Sequence, residues 1–251
     1  IVTKIKKLKN NVTIGVVGKY IDLKDAYKSL HEALYHASYE ANSNLSIKYI
    51  DSEELEQSSP KKLLEGCDGI LVPGGFGDRG FEGKISAIQY ARENNIPFFG
   101  ICLGLQMAVL EFARNVCSIK DAQTRESKKR SKNYIIDIME SQKKVGSKGG
   151  TMRLGQYPCE LKKSSLAHSA YKKAKISERH RHRYEVNPKY HERLKKSGLV
   201  LSGLSPDGTL VETIEIKNHK WFLACQFHPE FKSKPFSAHP LFREFVKASL
   251  K

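Results

Sequence analysis

No stretch of this 251-residue chain approaches the roughly 18 consecutive apolar residues that a membrane helix requires. The lysine-rich residues 1–10 also lack the apolar segment and small-residue cleavage site of a secretory leader. A cytoplasmic setting with no membrane partner follows as the expectation. The chain starts at Ile1 instead of methionine, which suggests a piece of something longer. Five cysteines, an odd number at irregular spacing, argue against a disulfide framework. Cys225-Gln-Phe-His228 has the outline of half a zinc site, but no second ligand pair stands at structural-zinc spacing, so no metal is expected. Neither Gly15-Val-Val-Gly18-Lys19 nor Gly74-Gly75-Phe76-Gly77 has the spacing of a nucleotide-phosphate loop. There are no internal repeats.

What is present is a soluble composition, 39% hydrophobic and 28% charged, with a net charge of +16. Such a surface could attract nucleic acid or other polyanions. The densest stretch, Lys120 to Arg153, carries ten Lys or Arg against four Asp or Glu. Its core, Lys128-Lys129-Arg130-Ser131-Lys132, has no interleaved aromatics for base stacking and reads as a solvated, mobile loop. Nucleic acid is therefore not the expected partner.

Short apolar runs alternate with helical periodicities. Residues 11–18, 45–51, 68–73, 96–101 and 221–227 read as strands, and 26–42, 82–94, 104–114 and 241–250 as helices. A hairpin is expected over 199–217, turning at Ser205-Pro206-Asp207-Gly208. Residues 118–150 show no clear period beyond a short strand at 134–138. The alternation predicts one α/β domain, a mostly parallel doubly wound sheet with helices on both faces and its site at strand carboxyl ends. Two glycine-marked loops, 74–77 and 100–104, fall at such ends.

Gly100-Ile101-Cys102-Leu103-Gly104, between IPFF and LQMAVLEFA, is the nucleophile-elbow pattern with cysteine in place of serine. The glycines allow a sharp strand-to-helix reversal. The helix N-terminus favours a thiolate at Cys102 and offers the Leu103 N–H to an oxyanion. A buried structural thiol would fit the same local pattern. His228-Pro229-Glu230, at the end of the last apolar strand, supplies a base and a carboxylate; on an extended backbone residues i and i+2 point to one side. The N–H groups of the Gly74-Gly75 turn could add a second oxyanion donor.

Together PGGFG, GICLGLQ and CQFHPE resemble the triad-type, class I glutamine amidotransferases, which have a flavodoxin-like fold. Longer stretches are similar to the glutaminase domain of the CTP synthases: VTIGVVGKYIDLKDAYKSLHEAL, ILVPGGFGDRGFEGK, GICLGLQMAV, GGTMRLG, ERHRHRYEVNP and ACQFHPEF. The resemblance covers nearly the whole chain from about residue 11. It implies Cys102 as nucleophile, His228 as general base then acid, and Glu230 as its orienter. It implies oxyanion donors at Gly75 and Leu103, and glutamine-binding residues Gly75, Phe76, Gln106, Glu126 and Arg183. One acid and one planar cation suit a substrate carrying both an ammonium and a carboxylate. In Arg179-His180-Arg181-His182-Arg183 an extended backbone would set three arginines on one face. Where the family typically reads DANSTEF, this chain has Asp121-Ala122-Gln123-Thr124-Arg125-Glu126-Ser127, so the pocket edge departs from the pattern.

The resemblance further implies that residues 1–10 link to an N-terminal synthetase domain and that 11–251 form the amidotransferase domain. That synthetase domain would use ATP and Mg²⁺ to aminate UTP to CTP with the released ammonia, for pyrimidine nucleotide biosynthesis. GTP is implied as an allosteric activator, without assigned residues, and the full-length enzyme as a homotetramer. The contrasting readings are another amidotransferase pathway, a γ-glutamyl hydrolase, or an inactive amidotransferase fold kept as a regulatory or nucleic-acid-binding module.

Overall fold

The computed structural model describes residues 8–19, 24–127, 129–138 and 152–250. Most of the expected linker, 1–10, and half of the basic loop, 127–148, lie outside the described residues, as do the first three residues of GGTMRLG.

The strands begin with β1 (Asn10–Gly18), β2 (Ser43–Asp51), β3 (Gly69–Val72) and β4 (Phe98–Ile101). The helices of this half are α1 (Lys28–Glu40), the short α2 (Glu54–Gln57) and α3 (Pro60–Leu64), α4 (Phe81–Glu93) and α5 (Leu103–Asn115). Then follow β5 (Ala122–Thr124), β6 (Asn133–Ile138), β7 (Arg153–Leu161), α6 (Leu166–Tyr171), β8 (Lys175–His182), β9 (Tyr184–Val186), α7 (His191–Lys196), β10 (Leu199–Leu204), β11 (Val211–Ile216), β12 (Phe222–Cys225) and α8 (Pro240–Ser249).

Nine strands form one sheet in the order β2-β1-β3-β4-β12-β11-β10-β7-β8. The first five are parallel and the remaining pairings antiparallel. The parallel half matches the βαβ expectation. The antiparallel extension through β7 and β8 lies outside the runs read as strands, because the chemistry of β7 does not follow its burial pattern: a glycine and a proline interrupt it, and it is not a continuous apolar run. The expected 199–217 hairpin is present, closed by the Gly208 N–H donating to Ser205 O at 2.7 Å. A second, three-stranded sheet, β5-β6-β9, sits over the end of α5.

The central strands GILV, FFGI and FLAC are buried throughout, as strands covered on both faces must be. The pleat sends neighbouring residues to opposite cores. Phe98 meets Phe222 at 4.5 Å between ring centroids on the α4–α5 side. Phe99 meets Phe242 and Phe245 of α8, at 5.2 and 5.6 Å, on the α1–α8 side. Each such ring contributes about 1.5–3 kcal/mol by leaving water. The two cores thus clamp β4 and hold the turn that follows it.

Candidate active site

Cys102 stands where β4 becomes α5, with φ 52° and ψ −99°. A non-glycine residue at positive φ is strained, and it persists only where its surroundings hold it. Here they do. The Cys102 N–H donates to Cys225 O at 2.7 Å, and Cys102 O accepts from the N–H groups of Leu105 and Gln106. A β-carbon at Gly100 would lie 2.8 Å from Ala224 Cβ and 2.8 Å from the Gly104 carbonyl carbon, so the reversal leaves no room for a side chain.

His228 and Glu230 follow β12, the strand beside β4. His228 Nδ1 lies 2.7 Å from Glu230 Oε1. The extended backbone expected over His228–Glu230 is not what brings them together. Pro229–Lys232 form a 3-10 turn with His228 at its start, and the carboxylate folds back onto the ring. The His228 N–H donates to Arg179 O at 2.8 Å, and the ring stacks on Phe231 with centroids 5.4 Å apart. A β-carbon on Gly74 would meet His228 Cε1 at 2.8 Å and Cys102 Cβ at 3.5 Å, which places thiol, imidazole and the Gly74-Gly75 loop in mutual contact. Burial works to lower the His228 pKa. The neighbouring Cys102 sulfur and the Glu230 carboxylate outweigh it and hold the imidazolium up to about 11.

Two openings meet at Cys102. One, of about 200 Å³, is lined by Gly75, Phe76, Cys102, Gln106, Glu126, Met152, His182, Arg183 and Tyr184. It gathers all five sequence-predicted glutamine-binding residues. The other, of about 220 Å³, lies on the His228–Glu230 side and reaches Tyr27, Leu30 and Phe231. Leu103 packs beside Gly75, since a Gly75 β-carbon would lie 3.4 Å from Leu103 Cδ2. Glu126 is pushed upward in pKa by burial, and the Gly77 N–H donates to its Oε1 at 2.7 Å to hold it against that shift. Lys19 Nζ donates to Phe76 O, anchoring the same glycine loop.

The three arginines of RHRHR do not share one setting. Arg179 and Arg181 project from the exposed face of β8, and Arg181 borders the larger opening. Arg183, just past the strand end, enters the smaller one with Glu126. The intervening histidines point inward. His180 Nδ1 and His182 Nε2 are 2.9 Å apart in a buried group with Arg153, Glu185 and Glu212. Burial, then the charge of Arg153, pushes His180 down to about 2 and His182 down to about 3. Arg153 and Arg125, both in the basic stretch 120–153, are structural: Arg153 pairs with Glu212 at 2.7 Å, and Arg125 pairs with Asp137 and covers the Tyr134 ring. Lys129, Arg130 and Lys132 are exposed or nearly so, as expected of a solvated segment.

Sequence reasoning missed His182, Tyr184, Met152 and above all Gln226. Gln226 Nε2 donates to Cys102 Sγ at 3.7 Å, and Gln106 Nε2 donates to Gln226 Oε1 at 3.3 Å. Its signal was its place two residues before His228, directly after the strand that flanks the elbow. No group of three or more His, Cys, Asp or Glu among the described residues could hold a metal ion.

The family model described as glutamine amidotransferase class-I matches residues 22–248. The chain belongs to the class-I glutamine amidotransferase family. It is 58% identical over 251 residues, all of this chain, to the CTP synthase of Carboxydothermus hydrogenoformans, and 59% identical over 239 residues, 95% of it, to that of Pelobacter propionicus. The chain spans 47% and 45% of the length of those proteins. A solved Trypanosoma brucei structure, described as the glutaminase domain of CTPS with bound acivicin, superposes with a TM-score of 0.88 at 43% identity, covering 95% of this chain and 93% of that one. Within the family, the chain is a glutamine amidotransferase domain of the CTP synthase type. A solved glutamine amidotransferase of Thermotoga maritima, 13% identical with a TM-score of 0.52 over 95% of this chain and 96% of that one, shares the fold. No helix among the described residues is long and apolar enough to cross a membrane.

Proposed function

We propose that this amidotransferase domain hydrolyses L-glutamine through Cys102, His228 and Glu230, and that the ammonia serves the amination of UTP to CTP. The observation that carries the reading is the meeting of Cys102 and the His228–Glu230 pair at one end of a pocket whose other end holds Glu126 and Arg183. A ligand with an ammonium, a carboxylate and a reactive amide has a partner there for each part.

Glutamine enters with its α-ammonium toward Glu126 and its α-carboxylate toward Arg183, and Phe76 and Gln106 flank the chain between. The Cys102 thiolate attacks the side-chain amide carbon, and the developing oxyanion is met by the N–H groups of Gly75 and Leu103. The His228 imidazolium gives its proton to the departing nitrogen as the C–N bond breaks, releasing ammonia and leaving a thioester. Neutral His228 then takes a proton from water as that water adds to the thioester. Collapse expels the Cys102 thiolate and glutamate, restoring the ion pair. Glu230 keeps the imidazole in the tautomer that presents Nε2 to the sulfur.

A synthetase domain of the same full-length protein, holding ATP and Mg²⁺, completes this reading. GTP as activator, a homotetrameric assembly and a cytoplasmic setting belong to it as well, with no GTP residues assigned in this chain. Acivicin should label Cys102 covalently, and glutamine should protect it. Glutamate release should rise when the synthetase domain and GTP are present, and vanish in Cys102→Ala. Labelling elsewhere, or glutamate release that persists in Cys102→Ala, would overturn the assignment.

A further inference from the structure

Gln226 is fully buried beside the reacting sulfur, and its orientation is dictated by a chain of hydrogen bonds through the pocket wall. Gln106 Nε2 lies 3.1 Å from Tyr184 O, a backbone carbonyl that can only accept, so this end of the Gln106 amide must be the NH₂. The same NH₂ faces Gln226 at 3.3 Å, so the atom of Gln226 that meets it must be the carbonyl oxygen. That leaves the Gln226 NH₂ turned toward Cys102 Sγ, at 3.7 Å. The backbone of Gln226 is held as well, its N–H donating to Glu212 O at 2.9 Å. A donor so constrained cannot rotate away when the sulfur changes charge.

We propose that Gln226 is a further residue acting on the reacting sulfur: its side-chain amide is a preset hydrogen-bond donor to the Cys102 thiolate, and Gln106 is the positioning residue that fixes its orientation. A thiolate accepts such a bond and a thiol gains far less from it, so the donor favours the ionised form. Because Gln106 also lines the glutamine pocket, a displacement of its amide by substrate is passed directly to the donor on sulfur.

Several charged or titratable groups face Cys102 beside this amide. His228 and Glu230 follow β12, Arg181 and His182 are on β8, and Arg183 and Glu126 lie across the pocket. Substituting Gln226 leaves all of them in place, so a change in thiol ionisation in that variant belongs to the amide.

The inference rests on Cys102 being the reactive thiol, and alkylation tests both without requiring turnover. In the intact protein, the rate of iodoacetamide reaction at Cys102, read by mass spectrometry of its peptide, is followed against pH. For Gln226→Met, which keeps the shape without the donor, the midpoint should rise by about one pH unit, a tenfold smaller thiolate fraction below it. Gln226→Glu should raise it further, and kcat for glutamate release should fall while KM moves little. Gln106→Met, which frees the Gln226 amide to turn over, should give a smaller rise in the same direction. Midpoints equal to that of the unsubstituted protein in Gln226→Met and Gln226→Glu would overturn the proposal, even if thermal stability dropped. Should neither variant fold, an unchanged midpoint in Gln106→Met overturns it. Failure of Cys102 to alkylate at all in the unsubstituted protein would instead refute the nucleophile reading.

Discussion

Gly104 lies so close to the end of β3 that a β-carbon there would overlap the carbonyl oxygen of Val72. The first turn of α5 is thereby pressed against the strand whose continuation is Pro73-Gly74-Gly75-Phe76. This one approach sets the glycine loop beside Cys102, because Val72 and the loop are consecutive in the chain. Glycine at 104 is demanded by tertiary contact as much as by the sharpness of the elbow.

Gly104→Ala should therefore destabilise the fold by about 1–3 kcal/mol, as overpacking against a fixed backbone atom does. It should also lower glutaminase activity more than the stability loss explains, because the loop and the elbow separate. Denaturant midpoints and kcat/KM measured on the same preparation check both parts.

Removing the carboxylate behind the base probes the His228–Glu230 contact. Glu230→Gln keeps an oxygen near Nδ1 but not the charge that helps hold the imidazolium up to about 11. The kcat should fall by about 10²–10⁴, with KM nearly unchanged, since the interaction matters most when the ring carries its proton. The lowered His228 pKa should also draw the alkaline limb of the pH–rate profile toward neutrality. A limb that stays put would count against an ion pair at this site.

Arg183 and Glu126 are predicted to act on binding. Arg183→Lys keeps the charge but loses the bidentate fork, and should raise KM for glutamine by about tenfold while changing kcat less. Glu126→Gln should do the same from the ammonium end. A glutamine analogue without the α-carboxylate should show little further loss in Arg183→Lys, which competition kinetics can measure.

Lys84 offers a pH test away from the chemistry. It is 2% exposed, its Nζ bonded to Ser52 Oγ at 2.9 Å and Gly80 O at 3.3 Å. Burial, and then the nearby charge of Lys19, lowers its pKa to about 8. The unfolded chain, with an ordinary lysine pKa of about 10.4, binds this proton more tightly than the folded one, so the group opposes folding below pH 8. That penalty, on the order of 3 kcal/mol, fades as pH rises from about 8 toward 10.4. Lys84→Met should be more stable than the unsubstituted protein at neutral pH. Its advantage should shrink across that window in calorimetric unfolding.

Much of the parallel half could be read in advance. The runs at 11–18, 68–73 and 96–101 are apolar because both faces of β1, β3 and β4 are covered, and burial on both faces leaves a pattern that needs no partner to be recognised. The glycines at 100 and 104, the cysteine between them and the histidine after β12 were legible for the same reason: each records a local demand of a turn or strand end. β7 and β8 were not, since their alternation is broken by Gly155 and Pro158 and by polar residues facing a buried cluster. His180 and His182 read as part of a basic run, yet they lie inside beside Arg153 and Glu212.

By itself, then, the amino-acid order marked Cys102 and its turn as a candidate nucleophile elbow, because such a turn is set by backbone geometry within a few positions, while the residues expected to suit glutamine came from the family resemblance of longer stretches. Only the tertiary structure decided that Glu230 reaches His228 through a 3-10 turn, and that Arg183 leaves its neighbours to enter the pocket. It alone turned the Gln226 amide toward the sulfur. That orientation depends on Tyr184 O and Gln106, residues 42 and 120 positions away in the chain, and hydrogen bonds over such separations leave no period or spacing to read.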